Sequence, residues 1–180
     1  MSQNPSALEI LDRRLSYRGR KFDFEVLRLR LPNGAEGEFE TVRHPGGAMA
    51  VPVTGDGGFV LVRQYRFPVA ERLLEFPAGT LEPGEEPAGT IRREVEEEIG
   101  YRVHQLEDLG RFPLAPGYSD EYIHAFLARD LEVLDQPPAQ DADEDMETVV
   151  LDAAELEAAM REGIVDAKTM AAFLLVRDRL

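Results

Sequence analysis

The sequence predicts an α/β protein, a mixed sheet set between helices and preceded by a small β-rich amino-terminal region. Three observations predict it. Ahead of the chain's midpoint, apolar residues alternate or run in short blocks bounded by Gly, Pro and Asn, as strands do. A central stretch from Pro87 to Gly100 carries apolar residues at helical spacing. Two further helical stretches close the chain, Ala153 to Arg161 and Ala167 to Arg179. The expected division is an amino-terminal region over residues 1–45 and a main domain over residues 46–180.

In chain order, residues 1–13 are polar and read as a loose arm or short helix. From Arg14 to Arg43 the pattern is strand-like. Phe22, Phe24 and Val26 share one parity, whereas Leu27, Leu29 and Leu31 share the other, so a bulge or bend is expected at Val26-Leu27. The turn Pro32-Asn33-Gly34 leads to a second run, Gly37 to Val42, and together they predict an antiparallel meander. A sheet of two or three strands is marginal alone and needs a surface to pack against. After the turn His44 to Gly47, an apolar strand from Ala48 to Val53 and a buried strand from Phe59 to Val62 flank Gly55-Asp56-Gly57-Gly58, which predicts a hairpin. Further strands are expected over Val103 to Leu109, Glu121 to Leu127 and Thr148 to Leu151. The loop Pro113 to Glu121 lies between the first two. In the last helix, Met170, Phe173, Leu174 and Arg177 mark successive turns.

Composition narrows the partners. A formal charge of −15 over 180 residues argues against nucleic acid, because phosphate-backbone binding needs clustered Lys and Arg. It does not exclude a small anionic substrate held through a metal. There is no cysteine, so disulfides and thiolate metal sites are out. The first residues lack a signal-peptide pattern, and no apolar run approaches the roughly 20 residues of a membrane span. No membrane partner and a soluble, cytoplasmic protein are the expectations.

The chemistry concentrates between Gly79 and Tyr101. Pro87 suits a first helical turn and Gly100 a helix exit. Ala88, Ile91, Val95 and Ile99 fall on one stripe that can face a core. Glu94, Glu97 and Glu98 crowd together on this helix, where each like-charge pair costs roughly 0.2–0.5 kcal/mol. A bound cation reverses that sign. Carboxylate oxygens without histidine or cysteine suit a hard ion, Mg²⁺ or Mn²⁺. An ordinary solvated acidic helix would explain the acids, but not the glycine turn, the arginine and their spacing.

Gly79, Glu85, Arg93, Glu94, Val95, Glu97, Glu98 and Gly100 stand at the spacing of the Nudix box, G-x5-E-x7-R-E-U-x-E-E-x-G-U. Only Tyr101 departs, standing where an aliphatic residue is usual. The chain thus resembles the Nudix hydrolases. Gly46-Gly47-Ala48, Val62 to Arg66, Glu75 to Gly79 and Ala115 to Glu121 further resemble their ADP-ribose pyrophosphatase branch, with Pro116 standing sixteen residues after Gly100. The resemblance implies an α/β/α sandwich with a mixed sheet and a small β-rich amino-terminal region. It also implies Mg²⁺-dependent hydrolysis of a nucleoside diphosphate sugar, ADP-ribose first. GDP-mannose or another nucleotide sugar is the enzymatic alternative, and a non-catalytic sensing module is the other.

By the same resemblance, Glu94 and Glu98, with Glu97 and the backbone carbonyl of Ala78, are the metal ligands. Arg93 holds the acids and the turn in place, and Glu85 braces them. The general base is Glu121 or Glu97. Glu121 is favoured because it sits on a loop able to close over substrate. Arg66 matches a phosphate-contacting position, and a guanidinium suits two phosphate oxygens. Tyr17, Arg20 and Phe22 are candidates for enclosing the adenine across a homodimer interface. His44, His104 and His124 lack metal-ligand spacing and read as ordinary turn or strand residues. In the acidic run Asp141 to Glu147, Glu144 is a possible distant carboxylate, but a solvated loop is the favoured reading.

Overall fold

A computed structural model of the chain describes residues 8–138 and 145–179. It resolves into two compact units. The first takes the described residues up to Gly46 together with Pro113–Tyr122, and the second takes Gly47–Phe112 and the described residues from Ile123 onward.

The first unit is built on an antiparallel sheet of β1 (Glu9–Arg18), β2 (Asp23–Arg30) and β3 (Glu36–Arg43), in that order. The loose arm or short helix expected over residues 1–13 is corrected from Glu9 onward, where the chain is strand. Its pattern was unreadable because nearly every residue of β1 is exposed, so no covered face imposes a period of two. The bulge expected at Val26-Leu27 is also corrected. β2 runs through that point in unbroken register with both neighbours, and the irregularities lie in β1, at Ile10/Asp12 and Leu15/Tyr17. Leu27 and Leu29 are buried while Phe24 and Val26 are half-buried, so the parity switch reports one strand partly covered on both faces. Glu25 is buried among these apolar residues because Arg43 donates to it at 2.8 Å.

The second unit contains two sheets. β4 (Gly47–Pro52) lies between β7 (Ala78–Thr80), antiparallel, and β9 (Tyr122–Val133), parallel, with β8 (Tyr101–Pro113) beyond β9. β5 (Phe59–Arg66) lies between β6 (Glu71–Glu75) and β10 (Met146–Leu151), antiparallel to both. The hairpin expected over Ala48 to Val62 is therefore corrected. Thr54 N–H does close the turn on the Gly58 carbonyl at 2.9 Å, and Val53 bridges Phe59, but the strands then enter different sheets. Both are apolar on both faces, so partner choice falls to distant strands and not to the turn.

Alternation along these strands explains the layers. Met49, Val51, Phe59 and Leu61 join Leu156 of α2 (Ala153–Glu162) and Phe173 and Val176 of α3 (Ala167–Val176) in one core. Ala48, Ala50, Val60 and Val62 join Ile91, Val95 and Ile99 of α1 (Pro87–Ile99) in the other. The fold is thus α/β/α, as expected. The bulky face includes an edge-to-face pair, Phe59 and Phe173, with centroids 5.3 Å apart. In α3 the buried residues are Lys168, Thr169, Ala172, Phe173 and Val176, whereas Leu174 is exposed. The stripe expected through Leu174 and Arg177 is corrected accordingly; Arg177 begins a 3₁₀ turn, Arg177–Arg179. Among the described residues, no helix is long and apolar enough to cross a membrane.

Candidate active site

The box forms where β7 turns toward α1. Pro87 occupies the first turn of α1, and Gly100 terminates the helix at φ 73°, returning its N–H to the Val95 carbonyl. Burying Ile91, Val95 and Ile99 sets the rotation of α1. That rotation leaves Arg93, Glu94 and Glu97 on the sides of the helix, while Glu98 is buried. The Glu98 carboxylate accepts the Ala78 N–H at 3.1 Å, which ties the helix to the start of the glycine turn. Arg93 Nη1 lies 2.9 Å from both Glu94 Oε1 and Glu97 Oε2, and Nη2 lies 3.8 Å from Glu85. One guanidinium therefore spans three box acids. Burial opposes the charge on Arg93, but Glu94 and Glu97 outweigh it and raise its pKa. At the other end of the loop, the Thr90 hydroxyl donates to Glu85 at 2.8 Å and lowers the Glu85 pKa.

Gly79 is required by close approach. A Cβ built there would overlap the Glu94 carboxylate. Because a glutamate can rotate away, Gly79→Ala is expected to melt nearly as the parent does. The displaced carboxylate should nonetheless reduce kcat/KM by about 10²-fold, the scale of a misplacement near 1 Å. Thermal melts beside initial rates check this, and undiminished rates would remove the glycine–carboxylate contact from the site.

The donor set is all oxygen and suits a hard divalent cation. Among the described residues, no three His, Asp or Glu side chains, those of Glu94, Glu97 and Glu98 included, converge closely enough to hold a metal ion.

Glu121 belongs to the first unit, whereas the box belongs to the second. Its carboxylate lies 3.6 Å from His44 Nδ1, and its N–H donates to the Ser119 hydroxyl at 3.2 Å. The preceding Asp120 accepts from Arg43 at 2.8 Å and from the His44 N–H at 2.9 Å, which anchors the loop to the end of β3. Arg20 and Phe22 line one groove with Lys21, Arg43 and His44. Tyr17 is not among the residues lining that groove and is 65% exposed on β1. Arg66 ends β5, and its Nε and Nη2 make a two-pronged pair with Glu75 at 2.6 and 2.7 Å. The position of Glu144 lies outside the described residues.

A profile of the NUDIX domain matches residues 43–173. The chain belongs to the Nudix family. This Nudix hydrolase is 41% identical over 155 residues to the ADP-ribose pyrophosphatase of Bacillus subtilis (strain 168), covering 85% of this chain and 83% of that one. It is 39% identical over 158 residues to the methanol dehydrogenase activator of Bacillus methanolicus, with coverages of 87% and 85%. A crystal structure of an ADP compounds hydrolase superposes with a TM-score of 0.85 at 25% identity, covering 99% of this Nudix chain and 97% of that one.

Sequence reasoning overlooked a buried charge cluster behind Arg66. Glu75 is 2% exposed and Lys168 7% exposed. Lys168 Nζ donates to Glu75 and, at 2.6 Å, to Asp166, which also caps α3 through the Thr169 N–H. One clue was available in the sequence, since Lys168 shares the helical stripe of Ala172 and Val176, where a lone lysine needs a buried partner. Burial alone would raise the Glu75 carboxyl, but hydrogen bonds from Arg66 and the charges of Lys168 and Arg66 hold it below its ordinary value of 4.5. A carboxyl whose native pKa is lowered contributes stability that is fully present above its unfolded pKa. That stability disappears as pH falls through the native value. Stability of this Nudix protein should therefore decline on acidification below about pH 4.5, and Glu75→Gln should flatten the decline. Urea titrations between pH 3 and 7 check this, and equal slopes for parent and variant would contradict it.

Proposed function

We propose that the chain hydrolyses the pyrophosphate bond of a nucleoside diphosphate sugar with Mg²⁺, converting ADP-ribose to AMP and ribose 5-phosphate. One observation carries the reading. The glycine turn, the Ala78 amide and the carboxylates of Glu94 and Glu98 are brought together by one turn–helix contact, with Arg93 bracing the acids from the side. The sequence similarity to an ADP-ribose pyrophosphatase supports the substrate.

In this reading Glu94 and Glu98, with Glu97 and the Ala78 carbonyl, hold Mg²⁺. The ion supplies charge neutralisation at the phosphates and lowers the pKa of water. Arg93 holds Glu94 and Glu97 through one guanidinium nitrogen and so fixes both on the same side of α1. Arg66 binds phosphate oxygens and places the bond to be cleaved. Glu121 takes a proton from the attacking water, and Glu97 is the alternative base. Arg20 and Phe22, with Tyr17, hold the adenine end, Phe22 by stacking.

The chain acts as a cytoplasmic homodimer in this proposal. β1 leaves Ile10, Leu15 and Tyr17 exposed along an edge strand, a surface that an ordered partner would cover. Dilution through the dimer dissociation range should then weaken substrate binding, and a tight-binding monomer would contradict it.

The deciding experiment incubates the protein and Mg²⁺ with ADP-ribose, GDP-mannose, ADP-glucose, NADH, diadenosine polyphosphates and 8-oxo-dGTP, following products by chromatography. AMP and ribose 5-phosphate as the fastest-formed products support the reading. A preference for GDP-mannose keeps the chemistry and overturns the substrate. Metal-dependent binding without product points to a sensing module. A second reading, activation of a partner dehydrogenase, is favoured by the methanol dehydrogenase activator of nearly equal similarity. Faster methanol oxidation by a methanol dehydrogenase on adding the chain would support it.

A further inference from the structure

The buried cluster behind Arg66 contains four formal charges that cancel, Arg66 and Lys168 against Glu75 and Asp166. Its connectivity is directional. Glu75 Oε1 takes Arg66 Nε, while Oε2 takes both Arg66 Nη2 and Lys168 Nζ. Lys168 therefore shares Oε2 with Arg66 Nη2 and holds the carboxylate from a second direction, and Asp166 holds Lys168 from the start of α3. Among the described residues, Arg66 Nη1 makes no hydrogen bond, so the clamp uses one edge of the guanidinium and leaves the other for a ligand. The same turn of α3 reaches the link between β6 and β7, because the Thr169 hydroxyl accepts the Phe76 N–H at 2.8 Å, two residues before Ala78.

We propose that Lys168 is a positioning residue for the substrate pyrophosphate: acting through Glu75, it fixes the guanidinium of Arg66 and keeps its positive charge from being cancelled. The physical reason lies in what remains when Lys168 is neutralised. Glu75 and Asp166 then oppose Arg66 alone, and the cluster carries a net negative charge in a site that must receive phosphate. A buried carboxylate stripped of one of two cationic partners is also left undercompensated, and the orientation that Lys168 imposes on Glu75, and through it on Arg66, is lost. Both effects weaken ground-state and transition-state binding alike, because Lys168 touches neither water nor leaving group. The loss belongs in KM and not in kcat. This inference rests on the phosphate role given to Arg66 above.

The test is a double-mutant cycle on the full chain, with ADP-ribose and Mg²⁺ or, should another panel member be hydrolysed faster, with that compound. Lys168→Met is expected to raise KM about 10–100-fold, the usual scale for an orienting partner, with kcat within about threefold. Arg66→Ala should raise KM at least as much, and the double variant should be no worse than Arg66→Ala alone. A purely structural lysine would behave differently. Its loss would lower kcat and melting temperature with KM unchanged, or would multiply with Arg66→Ala, and either result overturns the proposal. If Lys168→Met does not fold, Lys168→Gln, which keeps a donor for both carboxylates, is read by the same outcomes. Should Arg66→Ala itself leave KM unchanged, the phosphate role of Arg66 fails, and the role of Lys168 with it. A KM raised by Arg66→Ala but not by the Lys168 variant defeats the Lys168 role alone.

Discussion

Glu98→Gln is expected to lower Mg²⁺-dependent kcat by on the order of 10³, because charge stabilisation by a catalytic metal is worth several kcal/mol and each decade of rate corresponds to about 1.4 kcal/mol. The substitution isolates charge from structure. Glutamine keeps an oxygen that can accept the Ala78 N–H, so the contact between α1 and the glycine turn survives. What disappears is the negative charge on a side chain only 6% exposed, where little water competes for a cation. Rates measured across a Mg²⁺ titration, beside a thermal melt, check the prediction. A variant that melts like the parent and needs more Mg²⁺ bears out the assignment, whereas full turnover at unchanged Mg²⁺ removes Glu98 from the metal site.

Glu121→Gln is expected to lower kcat by about 10²–10⁴-fold, the range for losing a general base, with the Mg²⁺ dependence unchanged. The surroundings of Glu121 favour a clean result. The loop is anchored by Asp120 on Arg43 and His44 and by the Ser119 hydroxyl, none of which needs the Glu121 carboxylate. Glu97 provides the comparison, since it shares Arg93 with Glu94 and its loss would disturb the brace as well as any proton transfer. If Glu97→Gln gives the larger fall in kcat while Glu121→Gln turns over normally, Glu97 is the base. Rates at saturating substrate over a range of pH separate the two.

The box was legible because its determinants are local. Pro87 and Gly100 delimit α1 through backbone constraints that need no neighbour, and Ile91, Val95 and Ile99 orient it by periodicity. The strands β4 and β5 were legible as apolar runs, but their partners were not. Nothing within Ala48 to Val62 says that β4 pairs in parallel with β9 while β5 pairs with β10. The first half of β1, Glu9 to Arg13, was missed because an exposed strand needs no alternation. The cluster behind Arg66 was hidden by distance, since Glu75 and Lys168 lie 93 residues apart, and a lysine on the buried stripe of α3 calls for a partner without saying which.

By itself, the sequence determined the helix, its caps, the acid spacing and the glycine beside them, all set by dihedral limits and helical geometry within about twenty residues. Tertiary structure decided which strands share a sheet, how the stripe of α3 is rotated, and that Arg66 is clamped through Glu75 by a lysine from the last helix. The division has one physical cause. Backbone conformation and side-chain period depend on neighbours along the chain, whereas a buried charge is tolerated only where distant segments bring its partner.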